Sequence, residues 1–147
     1  MPKFRSVNDI LDFAIERENE AHDFYMGLAQ LVADAKLRDV IKGFAIDELQ
    51  HGIRLEAIKA GDAAFDEEAL VDFTMSENAG HAVPTKEMSY ADLLLIAMNQ
   101  EKAAFRLYTN LASIAQKKEF RETLLHLAKE EAQHKLRLEI EYDWNAF

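Results

Sequence analysis

Cysteine is absent from the 147 residues, which excludes a disulfide framework, a thiolate metal cage of zinc-finger or rubredoxin type, and a thiol nucleophile. Proline occurs twice and glycine five times, so little in the chain breaks a helix, and β-branched residues never form the alternating run of a half-buried strand. No apolar run approaches the roughly 20 residues that span a bilayer, and the opening Met1-Pro-Lys-Phe-Arg-Ser-Val-Asn-Asp9 has no apolar signal core. Basic residues are the scarcer sign: 17 Lys and Arg face 27 Asp and Glu, a formal charge of −10 and a pI near 4.9. That balance argues against nucleic acid and anionic membranes as partners and in favour of cations. The expectation is a cytoplasmic, all-α protein, with residues 1–147 forming one domain large enough for a real core.

What is present is helical periodicity, interrupted at few places. Ser6-Val-Asn-Asp9 reads as a capping box that opens a helix running to about Ala33, with Ile10, Phe13, Phe24 and Leu31 on one stripe and Glu20 inside it. A short polar turn at Asp34–Lys36 returns the chain antiparallel into a second helix, about Leu37 to Ala60, closed by Gly61. Residues 62–88, with Asn78, Gly80 and Pro84, lose the periodicity and read as a crossover, within which a short helix is expected around Asp66 to Phe73 with Leu70 and Val71 packed down. Ser89-Tyr-Ala-Asp92 opens a third helix whose inward stripe of Leu94, Ala97, Met98, Phe105, Tyr108 and Ala112 is interrupted by Glu101. After a turn near Gln116–Lys118 a fourth helix carries Leu124, Leu127, Ala128 and Leu138, and Tyr142, Trp144 and Phe147 are expected to anchor the tail.

The chemistry lies in a repeat. Glu131-Ala-Gln-His134-Lys-Leu-Arg137-Leu138-Glu139 repeats Glu48-Leu-Gln-His51-Gly-Ile-Arg54-Leu55-Glu56, with six of nine residues identical. Residues 37–56 laid over 120–139 at an offset of 83 give eight identities, among them Arg38/Arg121 and Ala45/Ala128. The first helix is matched to the third at an offset of 81, pairing Glu20 with Glu101 and Phe24 with Phe105. Two helical hairpins of one design are thus expected to pair about an approximate two-fold axis in a four-helix bundle.

A Glu and a His three apart project from one helical face, so each copy offers an oxygen and a nitrogen to one ion. Four inward acids would each cost several kcal/mol in an apolar core without a cation. Two divalent ions balance four carboxylates, and a carboxylate and imidazole set without thiolate suits iron or manganese and admits zinc or cobalt. Asp47 and Glu130, one turn before each His, are candidate acceptors for the imidazole N–H. Tyr25 and Tyr108 are candidates to hydrogen-bond a ligand carboxylate, although a core Tyr with a satisfied hydroxyl is the commoner case. His22, His81 and His126 fall outside the pattern and read as surface histidines.

With these motifs the chain resembles the ferritin-like, rubrerythrin-type di-iron proteins over nearly its whole length. The resemblance implies a ligand set of Glu20, Glu48, His51, Glu101, Glu131 and His134 around two iron ions, and Arg54 also matches the family. Two departures stand out: there is no Cys-rich rubredoxin tail, and the extra glutamate expected three residues after Glu101 is Ala104. A more symmetric six-ligand site follows, with Asp23 as a possible substitute ligand. By resemblance the activity is reduction of hydrogen peroxide or dioxygen, with an outside electron donor such as a rubredoxin or a reductase, in a homo-oligomer, most naturally a dimer. A ferroxidase that takes Fe(II) for storage or delivery, a manganese catalase-like centre, and a metal-free helical interaction module are the alternatives.

Overall fold

The structure, a computed structural model, describes residues 6–61 and 83–145, so the helix expected near residues 66–73, His81 and Phe147 lie outside the described residues. Four helices form: α1 (Val7–Leu31), α2 (Ala35–Ala60), α3 (Tyr90–Ile114) and α4 (Lys118–Asn145). Polar side chains begin the first three. The Ser6 hydroxyl accepts from the Asp9 N–H at 3.1 Å, Asp34 from the N–H groups of Lys36 and Leu37, and Ser89 from the Asp92 N–H at 3.0 Å, satisfying donors that a helix start leaves without partners.

The repeated arginines close the hairpins. Arg38 donates to the Val32 carbonyl at 3.2 Å, and Arg121 donates to the Ala115 carbonyl at 3.1 Å. Each Arg thus caps the carbonyl end of the helix preceding its own. Gly61 ends α2 where a Cβ would stand 3.0 Å from the Ala57 carbonyl oxygen and 3.3 Å from the Phe120 ring.

Two apolar clusters give the helix directions. One joins Val7 of α1, Leu55 and Ile58 of α2, Leu111 and Ala115 at the end of α3, and Leu124 of α4. The other joins Leu28 and Val32, Ile41, Leu93 and Leu94, and Leu138. Every neighbouring pair is therefore antiparallel, and Gly61 and Ser89 stand at opposite ends of a bundle about 38 Å long at 1.5 Å per residue. The chain thus leaves α2 at one end of the bundle and enters α3 at the other.

Of the expected inward residues, Ile10, Phe24, Leu94, Ala97, Tyr108 and Ala112 are buried, but two positions depart. Leu31 and Phe105 are 37% and 40% exposed, while Leu11, Ala14, Tyr25 and Leu28 are buried. Trp144, expected as an anchor, is 80% exposed, whereas Tyr142 packs on the second cluster. Replacing Ser89 by Ala should lower stability by about 1 kcal/mol; a urea-unfolding midpoint equal to that of the parent chain would show that the cap contributes nothing.

Candidate metal centre

Between the two apolar clusters the bundle buries six polar side chains, Glu18, Glu48, His51, Glu101, Glu131 and His134, none more than 5% exposed. They fall into two overlapping groups whose donor atoms all lie within 4.8 Å of one another: Glu18, Glu48, His51 and Glu131, and Glu48, Glu101, Glu131 and His134. Glu48 and Glu131 belong to both. His51 Nδ1 lies 3.4 Å from Glu18, 3.5 Å from Glu48 and 3.0 Å from Glu131, and His134 Nδ1 lies 3.4 Å from Glu101, 3.2 Å from Glu48 and 3.7 Å from Glu131. The two imidazoles are nearly parallel, with centroids 6.3 Å apart.

The α1 acid in this cluster is Glu18, not Glu20. Residues two apart on a helix diverge by about 200°, so only one can face the core, and Glu18 continues the buried line of Leu11, Ala14 and Tyr25. Glu20 is partly exposed and pairs with Arg17 at 2.9 Å. Asp23 is also no substitute ligand: its side chain is 76% exposed and meets His22 at 3.1 Å. A signal for Glu18 was present. Carrying the offset of 83 into the first helix aligns residues 6–32 with 89–115 and gives nine identities, including Glu18/Glu101 and Tyr25/Tyr108. An offset of 81 instead matches buried Phe24 with exposed Phe105.

The surrounding contacts cross between hairpins. Tyr25 of α1 donates its hydroxyl proton to Glu101 of α3, and Tyr108 of α3 donates to Glu18 of α1. His51 Nε2 meets Glu130, and His134 Nε2 meets Asp47 at 2.9 Å. Asp47 and Glu130 therefore serve the opposite helix's His, because an acceptor one turn away on the same helix lies beside the ring rather than beyond Nε2. With Nε2 engaged outward, both Nδ1 atoms point at the acids.

The donor set fits divalent cations. Among the described residues the buried atoms left without hydrogen-bond partners include Glu18 Oε2, Glu48 Oε1, Glu101 Oε2, both oxygens of Glu131, and Nδ1 of His51 and of His134. These atoms belong to the residues of the two groups, where a cation would satisfy what no protein donor does.

A family model, described as Rubrerythrin, matches residues 9–142. The chain belongs to the rubrerythrin family. Two solved structures share the fold of this rubrerythrin-family chain. One is a hypothetical protein from Pyrococcus furiosus, 25% identical, matched over 95% of this chain and 89% of that one with a TM-score of 0.78. The other, from Thermotoga maritima and provisionally described as a ferritin-like diiron-carboxylate protein, is 21% identical, covered fully on both sides, with a TM-score of 0.76. No curated protein matches at a significant level.

Without cations the rubrerythrin-family cluster holds its protons tightly. Burial, reinforced by the neighbouring acids, lifts Glu48 and Glu131 well above the usual carboxylate range, and burial also raises Glu18. For the imidazoles burial opposes the charge, but the surrounding carboxylates outweigh it, bringing His51 up to about 9 and His134 up to about 11. Burial and the nearby Glu charges likewise hold Tyr25 and Tyr108 protonated.

Both kinds of shift act in one direction. Raised carboxyls bind protons in the native state that the unfolded chain releases above about 4.5, so stability falls as pH rises from there. The raised histidines contribute fully below about 6.5 and lose that contribution through their native values. Metal-free protein should therefore melt at a lower temperature at pH 8.5 than at pH 5.5, whereas cation affinity should rise with pH as ions displace protons. A chelated sample more stable at pH 8.5 would contradict this. Glu18→Gln should lower bound divalent metal by about one equivalent while Glu20→Gln leaves it unchanged, as read by elemental analysis; the reverse outcome would restore Glu20.

Proposed function

We propose that this rubrerythrin-family chain is a di-iron oxidoreductase that reduces hydrogen peroxide or dioxygen with electrons from an external donor. The observation that carries the reading is the pair of overlapping carboxylate–imidazole groups beside a cavity of about 40 Å³, lined by Glu18, Glu48, Glu101 and Glu131 together with small residues of α1 and α3. Glu18 with His51 and Glu101 with His134 would each hold one iron ion, and Glu48 and Glu131 would be shared between them. A ferrous pair so held supplies the two electrons that, with two protons, convert hydrogen peroxide to two waters.

The protein's own groups do the positioning. Neither histidine lines the cavity, so a small molecule entering it meets the acids from the face opposite the imidazoles. Ala21 and Ala104 line that face at equivalent places in the two hairpins. Both stand three residues after a cluster glutamate, so neither half carries the extra carboxylate, and the six-ligand set is symmetric. The space suits one or two water-sized molecules, which favours a peroxide or dioxygen over an organic substrate. Tyr25 and Tyr108 each hold an Oε1, of Glu101 and Glu18; this leaves Glu18 Oε2 facing His51 Nδ1, whereas on Glu101 the same Oε1 also faces His134 Nδ1. Arg17, its guanidinium over the Phe13 ring at 4.7 Å and paired with Glu20, and Gln100 also line the cavity.

Protein made in iron-supplemented medium should hold two irons per chain and consume peroxide catalytically when a reductase system is supplied. His51→Ala should retain about one iron and Glu131→Ala, shared by both sites, should lose most of both. If Fe(II) is instead oxidised far beyond two per chain and stays bound as mineral, the storage reading replaces this one. Fewer than one equivalent of tightly bound transition metal would remove both. Anomalous scattering at the iron and manganese edges identifies the ion.

A further inference from the structure

The two halves of the centre follow one design, yet their outer supports differ. At Glu130 both oxygens are engaged: Oε2 meets His51, and Oε1 takes His126 at 2.6 Å and faces Arg54 at 3.7 Å. Asp47, the equivalent of Glu130, is 45% exposed and meets only His134 among the described residues. The residue equivalent to His126 is Gly43, and Arg137, equivalent to Arg54, lines the groove with Tyr90 and Glu141 at the far end of the bundle. The shorter Asp arm and the missing histidine leave one support unbuttressed.

We propose that His126 is a positioning residue that, with Arg54, locks Glu130 onto His51 and makes the Glu18–His51 half of the centre the tighter divalent-cation site, filled before the Glu101–His134 half. This inference rests on the metal reading above. A carboxylate held at both oxygens fixes the rotation and tautomer of the imidazole it accepts from, keeping Nδ1 aimed at the ion; loss of such an outer partner typically costs about 10- to 100-fold in metal affinity. Asp47, one oxygen engaged and nearly half in water, holds His134 more loosely. Phe44 stacks on His134 at 4.2 Å, but stacking restrains the plane of a ring and not which nitrogen carries its proton. The Arg54 guanidinium beside Glu130 also withdraws some negative charge from it. That effect opposes the first, and we set it below the orientational one because Glu130 remains a committed acceptor for His51.

The test is a Co(II) titration of chelator-treated, full-length protein, followed by calorimetry and by the visible absorption of the bound ion. The parent chain should bind in two steps at least about 10-fold apart. His134→Ala should keep the tighter step and His51→Ala should lose it. His126→Ala, at a position 53% exposed and so tolerant of truncation, should weaken the tighter step about 10-fold and merge the two, whereas His126→Gln, which keeps a donor, should restore much of the separation. Gly43→His supplies the missing buttress, since a Cβ there meets nothing within 4 Å, and should tighten the weaker step. Two equal steps in the parent chain, or an unchanged tighter step in His126→Ala, would overturn this inference and leave the metal centre intact. Absence of any binding would overturn both.

Discussion

Six polar groups sit where a four-helix bundle ordinarily packs leucine, and the cost of keeping them there governs the rest of the molecule. Each buried carboxylate without a partner costs several kcal/mol, more in aggregate than a domain of this size has to spare. The structure relieves part of that cost with protein groups. Two tyrosine hydroxyls each take one oxygen, two outer acids take the imidazole Nε2 atoms, and protons remain on groups that would ionise in water. Apart from Gln100 Oε1, the buried side-chain atoms left unsatisfied among the described residues all belong to the six clustered residues, so the chain stays foldable with protons while retaining lone pairs for cations.

The same contacts bind the hairpins together. Backbones approach closely within α1–α2 and within α3–α4 but less between α1 and α3 or α2 and α4, where the two apolar clusters join the hairpins through side chains. At the level of the centre, both tyrosine–carboxylate bonds and both bonds of an imidazole Nε2 to an outer acid run from one hairpin to the other. Neither hairpin alone can complete a ligand group, since Glu48 and Glu131 are each needed on both sides. A cation held at this centre would thereby couple its own binding to docking of the hairpins, since binding to the docked form stabilises it by mass action.

The helices, their caps and the crossover were legible because Ser6, Asp34 and Ser89 satisfy helix starts by local chemistry, and local chemistry is what a sequence displays. The Glu-x-x-His pairs were legible because their partners lie on the same helix, three residues apart. Glu18 was missed for the opposite reason. In the first helix acids stand at 16, 18 and 20, and which one faces inward depends on rotation against neighbouring helices. Counting exposed Leu31 and Phe105 as inward let Glu20 pass as part of the stripe and Phe24 pair with Phe105. A single repeat offset would have corrected it, because α1 and α2 belong to one duplicated hairpin and cannot be displaced by different amounts. The crossing of Asp47 to His134 and of Glu130 to His51 was hidden, since periodicity describes one helix and says nothing about what lies beyond a ring in the next.

Where the two halves depart from each other, the departures fall outside the six buried donors. The six buried donors exchange perfectly under the offset of 83, as do the two tyrosines, whereas Asp47 and Glu130, Gly43 and His126, Phe44 and Leu127, and Arg17 and Gln100 do not. Had the halves drifted without regard to chemistry, the buried positions would carry the same spread as their surroundings. Burial explains the difference: a changed ligand leaves an uncompensated charge in the interior, at several kcal/mol, while a changed outer partner alters orientation at a fraction of that cost. Asymmetry between two bound ions is therefore most cheaply introduced one layer out, through the groups that aim the imidazoles and line the cavity, and that is the layer in which this chain varies.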